Sequence, residues 1–188
     1  MTQKQTKSEF WAWFKAIGLA IIFTMGVRYF ILSPVVVKGA SMEPTFENGD
    51  KVIVNKVGPR ISDYNRFDVI VFETKEDKNY IKRIIGLPGD HIAYKDDVLY
   101  INGKAFDEPY LTEYKEELLD KGDFTYDFTL EEQLGEITVP EGHFFVLGDN
   151  RRRSIDSRSP DVGFVSQNKI LGTAGFVLWP FERLGSTR

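Results

Sequence analysis

Apolar and polar positions follow two different regimes along this chain. From Phe10 to Leu32 runs a 23-residue, mostly apolar stretch, broken by charge only at Lys15 and Arg28. As a helix rising ~1.5 Å per residue it would be roughly 34 Å long, enough to cross a ~30 Å hydrocarbon layer. The stretch free of charge, Ala16 to Val27, is twelve residues long, so crossing requires Lys15 and Arg28 to snorkel. Both lie near the ends, and Trp11, Trp13 and Tyr29 suit the interfaces. A cleaved leader is one rival, with Lys4 and Lys7 as its basic start, but a cut after Ala40 would put Lys38 where a small residue is wanted. A buried core helix is the other. The pattern is read as a retained anchor covering residues 1–33 with its short tail.

Beyond Leu32 the regime changes to short β-branched and aromatic runs between turns. Residues 34–38, 51–56, 67–72 and 80–85 read as strands. Residues 98–101, Asn102-Gly103 and 104–106 form the clearest hairpin, because Asn-Gly accepts the positive φ angles of a tight type I′ turn. Pro88-Gly89-Asp90 and Gly148-Asp149-Asn150 are further turns, and 143–147 and 175–179 complete the strands. The predicted fold is therefore mainly β, with antiparallel sheets forming a compact core, one smaller insertion, and one N-terminal transmembrane helix. The expected division is 1–33 for the anchor and 34–188 for the folded domain, with 91–140 as a β-rich, partly acidic insertion.

Charge sharpens this division. The chain of 188 residues carries a net −4, yet Asp107 to Glu136 holds eleven Asp or Glu against two Lys, a net −9, which leaves +5 on the rest. That block reads as a solvated arm with a short helical turn at 113–119, and it lacks a D-x-[DN]-x-[DN]-G calcium loop. The overall negative charge argues against a nucleic-acid binder. With no cysteine and only His91 and His143, thiolate zinc, iron–sulfur and multi-histidine sites are excluded. The basic residues before and within the start of the apolar run, Lys4, Lys7 and Lys15, place the N-terminus inside and the large domain outside.

The candidates for chemistry are then Ser, Lys, His, Asp and Glu. Ser41 sits between Gly39-Ala40 and Met42-Glu43-Pro44, and a serine needs an adjacent base to act as a nucleophile. Lys82 lies in Tyr80-Ile81-Lys82-Arg83-Ile84-Ile85. To act as a base it must be neutral, and moving its pKa from ~10.4 towards ~7.5 by desolvation costs roughly 4 kcal/mol in the charged form. Strand alternation leaves open whether Lys82 or Arg83 points inward, and arginine does not deprotonate. In Gly148-Asp149-Asn150-Arg151-Arg152-Arg153-Ser154-Ile155-Asp156-Ser157-Arg158, the last acid and base are two apart and can pair. Ser154 shares their face and could orient a lysine amine. Read blandly, each of these is a capped turn, an edge-strand charge and a basic patch.

Taken together, an apolar anchor, Ser41-Met42-x-Pro44-Thr45, Gly49-Asp50, Lys82-Arg83-Ile84-Ile85-Gly86-Leu87-Pro88-Gly89-Asp90 and Gly148-Asp149-Asn150-Arg151-x-x-Ser154-x-Asp156-Ser157-Arg158 strongly resemble the type I signal peptidases, in the single-anchor form of Gram-positive bacteria. The match runs in order from the anchor to Trp179-Pro180-Phe181. The resemblance implies a membrane-bound serine endopeptidase with a Ser-Lys dyad, removing signal peptides from exported preproteins after small residues. On this chain Ser41 falls on the nucleophile and Lys82 on the general base. Ser154 matches the serine that holds the lysine, Asp156 and Arg158 a supporting ion pair, and Asp149 the supporting turn. Val35, Val36 and Val37, with Phe67, Val69 and Val71, fall on strands lining the substrate groove. No metal and no cofactor is implied. The implied partners are preproteins, the lipid bilayer and, by proximity, the secretion translocon, and the implied place is the cell membrane, single-pass, with the catalytic domain outside.

Two positions depart from the family pattern. Gly39 stands where some members carry a serine that donates to the oxyanion, which shifts that task to backbone donors such as the Ser41 N–H. Arg152 stands where an acid is common. Two rival readings have their own signatures. A self-cleaving Ser-Lys repressor needs a DNA-binding N-terminus and an upstream Ala-Gly bond, whereas Ala174-Gly175 lies downstream of both dyad residues. A membrane-tethered binding module would use the acidic insertion or the basic turn, and would turn over no peptide.

Overall fold

The computed structural model describes residues 3–30, 32–57, 63–116 and 122–186. Helix α1, Gln3–Phe30, carries the apolar run, and its segment Glu9–Gly26 has a mean hydropathy of 1.2 with none of its length buried against the rest of the chain. Trp11, Trp13, Ile22 and Phe23 are each 60% exposed or more. In water that surface would be costly, whereas in lipid it is the matched solvent. The helix stops earlier than the expected 33. Pro34 disfavours helical backbone before it, and Leu32 and Ser33 already pair as strand.

Twelve strands follow among the described residues: β1 Leu32–Val36, β2 Lys51–Asn55, β3 Val69–Glu73, β4 Asn79–Gly86, β5 Ile92–Lys95, β6 Val98–Ile101, β7 Lys104–Phe106, β8 Phe128–Thr129, β9 His143–Leu147, β10 Val165–Ser166, β11 Ile170–Trp179 and β12 Gly185–Ser186. They form two sheets. The larger runs β1-β2-β11-β3-β4-β9-β10, with β12 added to β11, and the smaller runs β7-β6-β5-β8. Every pairing is antiparallel. The architecture is mainly β with one N-terminal apolar helix, as the alternation of the sequence anticipates. The smaller sheet falls within residues 91–140.

The differences from the sequence reading have local causes. The strand expected at 67–72 begins only at Val69, because Phe67 adopts φ 70° and Asp68 closes a turn onto Asn65. Strand β11 starts at Ile170 and not at 175, since Gly172 and Gly175 blunt the pattern. Gly172 is there for close approach: a Cβ on it would lie 2.4 Å from the Asn55 carbonyl oxygen of β2. β5, β8, β10 and β12 are too short to stand out by alternation. The helical turn is Thr112–Glu116, and the remainder of its expected span, 117–119, lies outside the described residues.

Three apolar clusters hold the sheets. Ile85, Phe145 and Leu147 of the large sheet meet Ile92, Tyr94, Leu99, Ile101 and Phe128 of the small one, and this cluster fastens the insertion to the core. Ile70, Phe72, Ile84, Phe144 and Val146 fill a second. The third, Met42, Phe46, Val52, Val54, Val71 and Val177, lies beneath the segment that follows β1. Completely burying one side chain the size of Phe46 stabilises by roughly 1.5–3 kcal/mol, so Met42 and Phe46 pin the loop that carries Ser41.

Candidate active site

Ser41 stands at the end of the segment that leaves β1. That segment is tied down at both sides: the Val37 N–H donates to Asp50 O at 2.8 Å, the Gly49 N–H to Val37 O at 3.0 Å, and the Asn150 N–H to Ser41 O at 3.1 Å. Gly39 has φ 87°, a left-handed conformation that glycine adopts without strain, and its N–H donates to Asn48 Oδ1 at 3.0 Å. The Gly39 amide is thereby engaged within its own loop.

Lys82 comes from the middle of β4 and is 3% exposed. Its Nζ donates to Ser41 Oγ at 2.7 Å and to Ile81 O at 3.0 Å, and it lies 5.3 Å from the centre of the Tyr80 ring. Burial pushes the Lys82 pKa down to about 8; Asp156 and Asp149 pull it back up, and Arg158 presses it down. Desolvation dominates because it disfavours the charged form directly, while those carboxylates are already engaged by arginines.

Arg83, the next residue, is buried as well, on the opposite side of the strand. The alternatives left by alternation thus resolve into two buried cations with separate partners. Arg83 holds Asp149 in a fork, Nε to Oδ1 at 2.9 Å and NH2 to Oδ2 at 2.6 Å, and stacks 3.9 Å from the Tyr110 ring centre. Thr45 donates to the same carboxylate at 2.5 Å, so the loop after Ser41 and the turn at 148–150 share one anchor. Such bidentate pairs fix orientation as well as charge.

The turn 148–158 packs behind the dyad. Asp156 receives Arg158 through Nε at 2.8 Å and NH2 at 2.8 Å, and accepts the Gly148 N–H at 3.0 Å. Ser154 Oγ is buried and finds no hydrogen-bond partner among the described residues. The bond from Ser154 to the lysine amine suggested by the sequence is therefore not formed here, because the amine is turned to Ser41 and Ile81. Ser154 lies instead against Gly148, where an added Cβ would be 2.2 Å from Ser154 Oγ and 2.4 Å from Ser41 O. Only glycine fits between these two serines.

A cavity of about 720 Å³ opens beside Ser41 and Lys82. Val35, Val36, Val37 and Val71 line it. Val69 does not; it is packed in the core under Ser41. Phe67 does not either, for its positive φ turns it to Tyr110 and the cluster below the small sheet. Tyr80, Ile81, Arg153 and Ile155, which the sequence reading left out, complete much of the wall. β1 is the edge of its sheet, and β9 pairs with β4 only from Arg83 onward, so both strand edges flanking the cavity are open among the described residues.

The sequence reading also missed a second buried charge cluster. Arg151, in the turn, donates to Glu108, Tyr94 OH and Thr125, and Glu108 accepts from Tyr94 and Tyr110 as well. Burial by itself would raise the Glu108 carboxyl; the Arg151 guanidinium and the hydrogen bonds from Arg151, Tyr110 and Tyr94 hold it below its ordinary value. Arg152 meanwhile donates to the Gly122 and Asp123 carbonyls, and so is bound to the acidic segment. No short-range pattern links Glu108 with Arg151, 43 residues apart. Among the described residues, no group of three or more His, Cys, Asp or Glu is placed to hold a metal ion, and the His143 ring nitrogen Nδ1 lies 2.9 Å from Glu141 O.

Comparison with known proteins supplies the frame for this geometry. The family described as signal peptidase, peptidase S26, matches residues 10–179. A signal peptidase I of Bacillus caldolyticus is 51% identical over 181 residues, covering 96% of both chains. Signal peptidase I S of Bacillus subtilis (strain 168) is 42% identical over 181 residues, 96% of this chain and 95% of its own. A crystal structure of a signal peptidase I from Enterococcus faecalis V583 superposes with a TM-score of 0.56 at 46% identity, covering 60% of this chain and 97% of that one.

Proposed function

This chain belongs to the signal peptidase I family, peptidase S26, as a serine endopeptidase, and we propose that it removes signal peptides from exported preproteins with Ser41 as nucleophile and Lys82 as general base. The observation that carries the proposal is the 2.7 Å contact between Lys82 Nζ and Ser41 Oγ, with the amine buried and its pKa brought down to about 8. A general base works best with a pKa near the operating pH and within hydrogen-bond reach of the proton it takes.

Neutral Lys82 accepts the Ser41 hydroxyl proton as Oγ attacks the scissile carbonyl carbon. The resulting oxyanion draws on the Ser41 backbone N–H, since the Gly39 N–H is already given to Asn48. Lys82, now charged, hands its proton to the departing amine, and the acyl-enzyme forms on Ser41. A water that loses its proton to Lys82 then attacks the ester, and the proton returns to Ser41. The Asp156–Arg158 and Asp149–Arg83 pairs hold the turn and the strand, and on this reading the unpaired Ser154 hydroxyl takes up the Lys82 amine once Ser41 is acylated.

The substrate enters as an extended segment between the open edges of β1 and β4, a strand-addition mode in which backbone hydrogen bonds give affinity. Val35, Val36, Val37 and Val71 favour small side chains beside the cut. Helix α1 anchors the enzyme in the bilayer, N-terminus inside and catalytic domain outside, near the translocon that delivers the preproteins. Eight residues separate Leu32 from Ser41, at most about 30 Å of extended chain, so the nucleophile stays close to the membrane surface.

The test is cleavage of a preprotein by the detergent-purified chain beside Ser41→Ala and Lys82→Ala. Cutting behind the signal by the parent, with both variants folded and silent, is the expected result. Equal cutting by all three would refute the dyad.

A further inference from the structure

The charged side chains that line the cavity are all cations: Lys38, Lys78, Lys82 and Arg153, with no carboxylate among the lining residues. In a chain whose net charge is −4 this is a local reversal. The acid lies elsewhere. None of the described residues of 107–136 lines the cavity, and the carboxylates that act on the Lys82 amine, Asp149 and Asp156, are each gripped by an arginine fork. Of the four cations, Lys78 is paired with Glu76 at 2.7 Å. Lys38 and Arg153 are exposed and have no ion-pair partner among the described residues. Both line the same cavity as Ser41 and Lys82, Lys38 three residues before Ser41 in the chain and Arg153 next to Ser154, so a segment bound in that cavity meets a wall that carries both.

We propose that Lys38 and Arg153 set a charge preference in this groove, which favours preprotein segments carrying acidic side chains next to the cut and disfavours those carrying lysine or arginine there. The inference rests on the peptidase reading and adds a determinant to it. Size selection by the valines decides which residues enter the wall, while the cationic rim acts on the side chains that point away from it. Strand geometry makes the two separable, since alternate residues of a bound extended segment face opposite ways. The rim is wet, so its effect is long-range steering plus modest contact energy, and salt must weaken it.

The experiment uses the full chain in an uncharged detergent and three peptides with the same small residues flanking the bond. They carry Asp, Asn or Lys at the intervening position and at the first two positions after the cut. At about 0.02 M salt the ratio of kcat/KM for the Asp over the Lys peptide is expected to be roughly tenfold, falling to about twofold near 0.5 M. In the double variant Lys38→Gln, Arg153→Gln, the ratio at low salt is expected to fall below about threefold. A ratio near one in the parent, a ratio indifferent to salt, or a ratio unchanged in the double variant would each overturn the proposal. Failure of the parent to cut any of the three peptides would instead overturn the peptidase reading on which it stands. Taking ratios within each variant removes any general loss of activity.

Discussion

Lys82 offers the sharpest quantitative test, because one buried amine governs both rate and stability. Its pKa falls from 10.5 to about 8 on folding. At 1.36 kcal/mol per pKa unit, that shift means the folded chain holds the charged form about 3 kcal/mol less favourably than the unfolded chain does. The folded state therefore binds fewer protons than the unfolded one between about pH 8 and 10.5, and stability rises with pH through that window. The penalty is fully present below about pH 8 and vanishes above 10.5. Lys82→Met keeps the stem and removes the amine. At about pH 7 the variant is expected to be about 2–3 kcal/mol more stable than the parent, the gap closing as pH climbs towards 10.5. Urea unfolding of the detergent-solubilised chain, followed by near-ultraviolet circular dichroism at several pH values, measures this. The parent's single-turnover rate supplies the companion reading. With a pKa of about 8, roughly a tenth of the amine is neutral at pH 7 and roughly nine tenths at pH 9, so the rate should rise about tenfold and then level off. A destabilised Lys82→Met with a gap indifferent to pH, or a rate still climbing tenfold per unit beyond about pH 9.5, would refute the claim that burial has prepared this lysine as a base.

The other expectations concern its surroundings. Asp149→Ala leaves Arg83 buried and unpaired, and should cost about 3–5 kcal/mol in urea unfolding, whereas Arg83→Met with Asp149→Asn together should recover much of that loss. Gly148→Ala forces a Cβ against Ser154 and the Ser41 carbonyl; kcat is expected to fall at least about 100-fold by stopped-flow cleavage, and normal activity would show that the two serines are not held as tightly as described. Ser154→Ala removes a buried hydroxyl that has no partner in the resting site, so stability should hold or improve slightly while kcat drops about tenfold or more; an unchanged kcat would remove Ser154 from the mechanism. Glu108→Ala strands Arg151 without its carboxylate and should lower the thermal midpoint, with a loss of about 3 kcal/mol or more.

Much of this protein was determined by sequence alone, wherever the determining interaction is local. The length and composition of the apolar run from Phe10 set a membrane-length helix, since helix rise and hydropathy need no partner. Alternation and the Asn102-Gly103 pair set the β6–β7 hairpin, because a tight turn with positive φ specifies its own register. The residue types available, with no cysteine and two histidines, narrowed the chemistry to Ser, Lys, His, Asp and Glu. The ordered boxes around Ser41, Lys82 and Ser154 to Arg158 identified the family. Tertiary structure alone decided the rest. Whether Lys82 or Arg83 is buried was not a question of strand period, since both faces of β4 are covered and both side chains are buried, one against Ser41 and the other on Asp149. Phe67 left the groove because a turn at φ 70° redirects it, and conformations of that kind in a non-glycine residue leave no mark on hydrophobic pattern. The Glu108–Arg151 pair joins the insertion to the catalytic turn across 43 residues, and the lowered pKa of Lys82 arises from the summed burial by segments remote in sequence. Desolvation and long-range pairing are properties of a packed volume, and a linear pattern records the groups that enter it but not the environment they make.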